Sequence, residues 1–132
     1  MKINQLMTIV LISGMALSAC KTAEQHLKES GKKPLNEAEL KQLYASDRSV
    51  QWENTRGGSG TAQFMSNGSA SVEWANGADT GKWRIVNGGF CQHWKVARGG
   101  TEYCSKVYQV GEKKYQFMDE HGMLSSTLLF TN

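Results

Sequence analysis

The feature that most limits what this chain can fold into is a period-two alternation of apolar and polar residues between positions 50 and 130. This period puts every second side chain on one face of a β-strand. Glycine-rich turns separate the alternating segments, and those that contain Asn-Gly favour tight hairpins because both residues tolerate positive φ. The segments are centred on residues 50–52, 62–64, 72–74, 83–85, 90–97, 102–110, 115–117 and 124–130.

Eight strands are therefore expected. The connections between them are too short for the crossover helices that parallel strands need, so the sheet is predicted to be antiparallel. One amphipathic pattern repeated over eight strands favours a mainly β fold, an up-and-down meander that closes into a small barrel or forms a strongly curved sheet. A sandwich of two sheets is the alternative. Because residues 123–130 are the most apolar, we expect the last strand to pair on both edges or to close the barrel.

One short α-helix is predicted immediately before the strands. Asn36 is a good N-cap, and Glu39 three residues later completes a capping box. Leu40 and Tyr44 follow at helical spacing and form an apolar stripe. The helix should occupy residues 36–45 and cover an open end or an edge of the sheet.

Residues 1–19 have the pattern of an export signal, with one lysine near the start and an apolar run too short to span a bilayer. The run ends at Leu17-Ser18-Ala19-Cys20, which resembles the lipobox of bacterial lipoproteins. In that reading the Cys20 thiol takes a diacylglycerol group and anchors the chain in the membrane. An ordinary signal peptide cut near Ala19 is the alternative. A lysine follows Cys20 where some lipoproteins carry the aspartate that retains them in the inner membrane, which favours the periplasmic leaflet of the outer membrane.

The formal charge of +3 is concentrated near the N-terminus. Residues 20–34 carry four lysines against two glutamates, whereas residues 35–132 carry ten basic and ten acidic side chains. We interpret residues 20–34 as a flexible tether with a partial helix over 22–29, and residues 35–132 as a single domain. The domain shows no interleaved basic and aromatic patch, so nucleic acid is not expected as a partner.

Two cysteines remain if Cys20 is lipidated, an even number in an exported chain. Cys91 and Cys104 fall on neighbouring predicted strands, and a disulfide between them would contribute about 3 kcal/mol through loop closure. Free thiols are one alternative. A metal site that adds His93 as a third ligand is another, but no second paired motif supports it. The two cysteines lie directly opposite each other only if the intervening turn is centred between residues 97 and 98.

The order of these motifs resembles a family of small exported proteobacterial proteins, the domain-of-unknown-function family numbered 995. The resemblance covers residues 35–122 and rests on the helix start at 35–40, Asn-Gly at 67–68, Gly-Lys-Trp at 81–83, Phe-Cys at 90–91 and Tyr-Cys at 103–104. It implies a lipocalin-like barrel, because Gly81-x-Trp83 is similar to the lipocalin G-x-W signature, although three predicted strands precede the motif here. The family has no established catalytic residues, so the resemblance implies none.

The sequence contains no motif that predicts catalysis or a cofactor. His93 and His121 are expected on the surface, and Gly58-Ser59-Gly60 lacks the strand-to-helix setting of a nucleophile elbow. We therefore expect a protein that is not an enzyme and that holds neither a metal nor a cofactor.

Aromatic residues at inward positions are candidates for a ligand pocket or for the core. They are Trp52, Phe64, Trp74, Trp83, Trp94, Tyr115 and Phe117. An eight-stranded barrel is just wide enough for side chains or for one small ligand, and so many aromatic residues favour a filled interior. Burial is predicted for Trp83, because Lys82 and Arg84 flank it on the opposite face.

These features predict a lipid-anchored binding or interaction module that faces the periplasm and recognises an envelope protein or polymer. Carriage of a small hydrophobic ligand in the barrel is the first alternative, and an inhibitory or structural role in the envelope is the second. A cavity would favour carriage, whereas a filled barrel with an exposed apolar patch would favour a protein partner. The oligomeric state is not predicted by the sequence.

Overall fold

The computed structural model describes residues 20–132. The predicted export signal, including the first three residues of the lipobox, lies outside the described residues. The described chain has two short helices, α1 (Ala23–Glu29) and α2 (Glu37–Leu43), and a 3-10 turn at Ala97–Gly100. Its strands are β1 (Arg48–Asn54), β2 (Ser59–Phe64), β3 (Ser69–Trp74), β4 (Gly77–Val86), β5 (Gly89–Trp94), β6 (Tyr103–Gln109), β7 (Lys114–Met118) and β8 (Leu124–Phe130).

The eight strands form a closed antiparallel barrel in sequence order. Each strand pairs with its neighbours along the chain, and β8 returns to β1, with Val50 opposite Phe130 and Trp52 opposite Leu128. The predicted meander, the antiparallel pairing and the closing position of the last strand are therefore confirmed. Closure also removes the unpaired sheet edges that favour aggregation.

α2 covers one end of the barrel, as its amphipathic sequence predicts. Asn36 and Glu39 form the expected capping box, in which the side chain of each accepts a hydrogen bond from the backbone N–H of the other. The helix is shorter than the predicted 36–45 because Tyr44 is its C-cap and no longer has helical backbone angles. Leu40 and Tyr44 are both buried and join the core of the barrel.

The half of the barrel that α2 covers is filled by aromatic rings, and we call it the closed half. The Tyr44 ring stacks on the Phe90 ring with centroids 4.3 Å apart. The fully buried Phe90 ring also contacts Phe64, Trp83 and Phe117, at centroid distances of 5.4, 5.6 and 5.7 Å. Such ring pairs contribute stability beyond the area they bury.

α1 packs on the outer wall of the barrel, which corrects the prediction that residues 20–34 are a flexible tether. The predicted partial helix is present, but Glu24 within it is buried, and its carboxylate accepts a 2.7 Å hydrogen bond from the Tyr108 hydroxyl. The backbone N–H of Glu24 donates to the carbonyl of Gly122 in the β7–β8 turn. Burial, reinforced by the Glu24 carboxylate, raises the pKa of the Tyr108 hydroxyl. These contacts fix the segment against the barrel.

The β5–β6 pairing extends over three residue pairs, and we call it the seam. Cys91 lies directly opposite Cys104 in the seam, and a disulfide joins them with their Cα atoms 4.0 Å apart. The predicted disulfide is confirmed, in the directly opposed register. Beyond the seam the Val107 carbonyl of β6 accepts a hydrogen bond from the N–H of Leu35, so the segment that leads into α2 continues the pairing of β6 past the first residue of β5.

Candidate functional site

The half of the barrel opposite α2 contains a cavity of about 260 Å³, and we call it the open half. The cavity lies between the inward faces of the strands and opens at the end of the barrel. Its wall is mostly apolar, with three tryptophans among the residues that form it. The polar side chains in the wall are Asn54, Gln92, Arg98, Tyr103 and Ser126.

Tryptophan and glycine alternate across the first five strands in the open half, in an arrangement we call the Trp–Gly belt. Every tryptophan of the belt lies directly opposite a glycine of an adjacent strand. The pairs are Trp52–Gly60, Trp74–Gly60, Trp74–Gly77 and Trp94–Gly81.

The glycines of the belt provide the space that the indole rings occupy. A Cβ atom on Gly60 would lie 2.9 Å from the Trp52 ring, and one on Gly77 would lie 2.9 Å from the Trp74 ring. Gly81, opposite Trp94, also has no space for a side chain, because a Cβ atom there would collide with the Trp94 ring and with a carbonyl oxygen of β5. The rings therefore rest over the neighbouring backbone rather than meeting at the centre of the barrel, and the cavity stays open.

A chain of hydrogen bonds crosses the inner wall of the cavity. The Trp94 indole N–H donates to the Tyr103 hydroxyl at 3.2 Å, and that hydroxyl donates to the Gln92 side-chain oxygen at 3.3 Å. Burial raises the pKa of Tyr103, which keeps the hydroxyl protonated and able to donate. The chain satisfies polar atoms that the apolar wall would otherwise leave without partners.

Arg98 places a positive charge at the rim of the cavity. Its backbone has a φ of 57°, in the left-handed region, within the turn between β5 and β6. The guanidinium carbon lies 4.5 Å from the centroid of the Tyr103 ring, and a guanidinium N–H donates to the Ser125 hydroxyl at 3.0 Å. Of the described residues that form the cavity wall, Arg98 is the charged one. A cation held in this way suits a ligand with an anionic or acceptor group.

Asp79 holds the turn that carries Arg98. Its buried carboxylate accepts hydrogen bonds from the backbone N–H groups of Ala97 at 2.8 Å, Val96 at 2.9 Å and Thr80 at 2.8 Å. These donors, Ala97 foremost, lower the pKa of Asp79. The negative charge is thus directed at the backbone of the turn and away from the cavity.

The structure divides the seven aromatic candidates between the two halves of the barrel. Trp52, Trp74 and Trp94 line the cavity in the open half, and Phe64 lines its inner end while packing on Phe90 of the closed half. The other three pack against or within the core: Trp83, Tyr115 and Phe117. The sequence therefore placed all seven on the correct face, while the expectation of a filled interior holds for the closed half alone.

Trp83 faces inward as predicted but is only partly buried. Its ring stacks on Phe90, and its indole N–H donates to the Met65 carbonyl at 2.8 Å. Lys82 and Arg84 are exposed on the opposite face, as the alternation requires. The Trp83 ring is not fully buried because it lies beside the β2–β3 turn at the end of the barrel.

The disulfide uses both cysteine sulfurs of the alternative metal site that the sequence suggested, which consisted of Cys91, Cys104 and His93. Cys91, Cys104 and the Glu102 carboxylate lie close together. The sulfurs are bonded to each other, and the carboxylate accepts two hydrogen bonds from the Arg84 guanidinium. His93, the predicted third ligand, contacts a backbone carbonyl at 2.7 Å instead.

Sequence reasoning missed the glycines of the belt and the contact between Asp79 and the turn. The Asn76-Gly77 pair predicts a turn at both residues, whereas the turn is at residues 75–76 and Gly77 is the first residue of β4, opposite Trp74. A usable signal existed in both cases. A glycine at an inward position across from a tryptophan indicates ring packing over the backbone, and an aspartate at an inward position indicates a carboxylate with buried partners.

A family model described as "Protein of unknown function (DUF995)" matches residues 9–123. Comparisons with curated proteins and with solved structures found no match. Neither helix within residues 20–132 has the length and apolar character needed to cross a membrane.

Proposed function

The chain belongs to the DUF995 family, a family of unknown function, and for this member we propose binding of a small, largely apolar ligand in the open half of the barrel. The proposal takes up the first alternative from the sequence. Recognition of an envelope protein or polymer stays a prediction, as does an inhibitory or structural role.

The observation that carries the proposal is the cavity of about 260 Å³ itself. Ligand sites in proteins are commonly concave, mostly apolar and about 300–1,000 Å³ in volume, so this cavity suits a small ligand. The Trp–Gly belt supports the proposal, because it uses large side chains and yet leaves the interior unfilled.

The polar groups of the wall favour a ligand that is apolar along most of its length and carries an anionic or acceptor group at one end. Arg98 at the rim is the group that would meet that end. Because Arg98 is exposed, its contribution to affinity is expected to be modest, about two- to fivefold. A medium-chain fatty acid has this chemistry and serves as a probe.

The test is a titration of residues 20–132 with decanoate and with decanol, followed by calorimetry and by tryptophan emission. We expect saturable binding of both probes at one site per chain. Arg98→Gln should weaken decanoate binding about two- to fivefold and leave decanol binding unchanged. Equal effects of Arg98→Gln on both probes would refute the assigned polarity of the site.

Filling the cavity provides the matched control. Ala62 points into the cavity and Thr61 points outward from the same strand, so Ala62→Phe should abolish binding while Thr61→Phe preserves it. Ser126→Leu fills the cavity from a second strand, and it decides the outcome if Ala62→Phe does not fold. Full affinity in folded chains that carry either filling substitution would overturn the proposal.

We also propose that Cys20 carries a lipid and that the protein is anchored in the cell envelope, facing the periplasm from the outer membrane. The support is the lipobox-like tetrapeptide that ends at Cys20. Cys20 is exposed and unpaired, whereas Cys91 and Cys104 are joined to each other. This leaves the Cys20 sulfur available for acylation.

Cys20→Ser in the full chain tests the anchor. The variant should lose acylation and accumulate as unprocessed precursor, as detected by metabolic labelling with a fatty acid and by mass analysis. A Cys20→Ser chain that is processed normally and released as soluble protein would instead support the ordinary signal peptide.

A further inference from the structure

We propose that the mouth of the cavity faces the lipid bilayer, so that the ligand enters from the membrane surface. The partner is the bilayer surface itself, and the contact is made by an apolar rim on the open end of the barrel. The inference rests on the proposed anchor at Cys20 and goes beyond it, because an anchor alone does not set the orientation of the domain.

The first argument is the position of Cys20 relative to the barrel. Cys20 lies two residues before Thr22, the N-cap of α1. The Thr22 hydroxyl oxygen would lie 3.1 Å from a Cβ atom on Gly122, and the N–H of Glu24 donates to the carbonyl of that same glycine. Gly122 belongs to the turn between β7 and β8. The helix therefore fixes the anchor position next to this turn.

The β7–β8 turn is at the open end of the barrel. β8 begins there, and its residue Ser126 lies opposite Asn54 at the last position of β1. Both residues line the cavity. A lipid on Cys20 would therefore enter the membrane beside the mouth of the cavity and on the side away from α2.

The second argument is the exposed apolar rim of that end. Three large apolar side chains there are exposed to solvent: Trp74 by 39%, Val96 by 77% and Met123 by 53%. Trp74 is the last residue of β3, Val96 lies in the connection after β5, and Met123 lies in the connection after β7. Isolated apolar side chains are ordinary on a surface, but a ring of them around an opening matches a surface that contacts lipid.

The contact between α1 and the wall makes the orientation specific. Glu24 is buried on the Tyr108 hydroxyl, and Lys28 and Lys106 lie 3.8 and 3.7 Å from its carboxylate oxygens. With the helix held, only residues 20 and 21 separate the lipid from a fixed point on the barrel. A flexible tether of the kind expected from the sequence would have allowed any orientation.

The experiment attaches residues 20–132 through the free Cys20 thiol to phosphatidylcholine vesicles that contain a maleimide lipid. The disulfide leaves Cys20 as the free thiol of the described chain. Tryptophan emission is compared between vesicles with and without bromine on the acyl chains, which quenches at short range. We expect quenching, and we expect most of it to disappear in Trp74→Phe.

The matched control anchors the other end of the barrel. Cys20→Ser combined with Asn87→Cys moves the thiol to the exposed β4–β5 turn, beside the closed half, and should abolish the Trp74-dependent quenching, which is the part that Trp74→Phe removes. Val96→Glu is a second test of the rim at a position that is 77% exposed, and it should reduce quenching without affecting the fold. Equal Trp74-dependent quenching with the two anchors, or none with Cys20, would overturn the proposal.

This experiment can distinguish a failure of the proposed orientation from a failure of the proposed lipid anchor or of the proposed ligand binding. Chemical coupling replaces biological acylation, so a failed lipobox does not affect the readout. No ligand is added, so an empty or a filled cavity gives the same expected quenching. Absence of the lipid on Cys20 in cells would remove the anchor while leaving the measured orientation as a property of the barrel.

Discussion

The two halves of this barrel share the same strands and the same alternation of side chains, and yet one is filled and the other is hollow. In the closed half, Tyr44 from α2 enters the barrel and the rings pack around Phe90. In the open half, the side chains of Trp52 and Trp94 are at least as large as those of the closed half, but the glycines of the belt leave space for them over the neighbouring backbone. Whether a small barrel has room for a ligand therefore depends on which residues lie opposite the aromatic side chains, and not on the number of aromatic side chains.

The strongest test of this comparison removes one ring from each half. Phe90→Ala should reduce the free energy of unfolding by about 3–5 kcal/mol, because the ring is fully buried among four others. Trp74→Ala should cost about 1 kcal/mol or less, since Trp74 is 39% exposed at the rim. Urea unfolding of residues 20–132 measures both. Equal losses would mean that the open half is as tightly packed as the closed half.

The seam between β5 and β6 offers the next largest effect. Cys91→Ala combined with Cys104→Ala removes the disulfide, which closes a loop with a sequence separation of 13, and should reduce stability by about 3 kcal/mol. The three-residue pairing leaves few other contacts to compensate. Urea unfolding with and without reductant provides the measurement, and the double variant should be insensitive to reductant. A stability that does not change on reduction would show that the seam holds without its disulfide.

The same substitution made in each half should have opposite effects. The Tyr44 hydroxyl is buried and has no hydrogen-bond partner among the described residues, and burial raises its pKa. Tyr44→Phe should therefore increase the free energy of unfolding by about 1 kcal/mol. The Tyr103 hydroxyl forms hydrogen bonds with both Trp94 and Gln92, so Tyr103→Phe should reduce the free energy of unfolding by about 1 kcal/mol. Thermal unfolding of the pair compares the signs directly. Two losses of similar size would indicate a partner for Tyr44.

The smallest expected effect is a loosening of the open half in acid. The pKa of Asp79 is lower in the folded chain than its ordinary 3.8, so its stabilising contribution is complete above that value and is lost as the pH falls through the folded pKa. Amide signals of Val96 and Ala97 should report the release of the turn, while those of Phe90 should not change. Asp79→Asn is the control and should remove this pH dependence. Simultaneous changes in both halves would point to global unfolding.

The fold was predictable because it depends on local patterns. The period of two gave the strand faces, the glycine-rich turns gave their number, and the capping box of Asn36 gave the start of α2. Short connections then left a meander as the simplest topology, and the barrel confirms it. The disulfide followed in the same way, because Cys91 and Cys104 lie on strands joined by one turn.

The cavity and the position of α1 were not predictable in the same way, because both depend on contacts between distant residues. Whether Trp52 fills the barrel depends on the register that puts Gly60 opposite it. Whether α1 packs or hangs free depends on Tyr108, which lies 84 positions away from Glu24. Residues 20–34 carry an excess of lysines and have the composition of a solvated linker, and nothing local in that sequence shows that the Glu24 carboxylate is buried.

The closure of β8 onto β1 also constrains the order in which this barrel can form. The pair Val50–Phe130 joins residues near the two ends of the sheet, and Thr131 and Asn132 bond back to the backbone around Ser49. In a chain that emerges N-terminus first from a ribosome or a pore, the sheet therefore cannot close until Phe130 has emerged. Until then β1 has an unpaired edge, and hairpins such as β3–β4 can form early because they need only their own neighbours. The closure of the barrel is thus a single late event, and a chain truncated before Phe130 should not complete it.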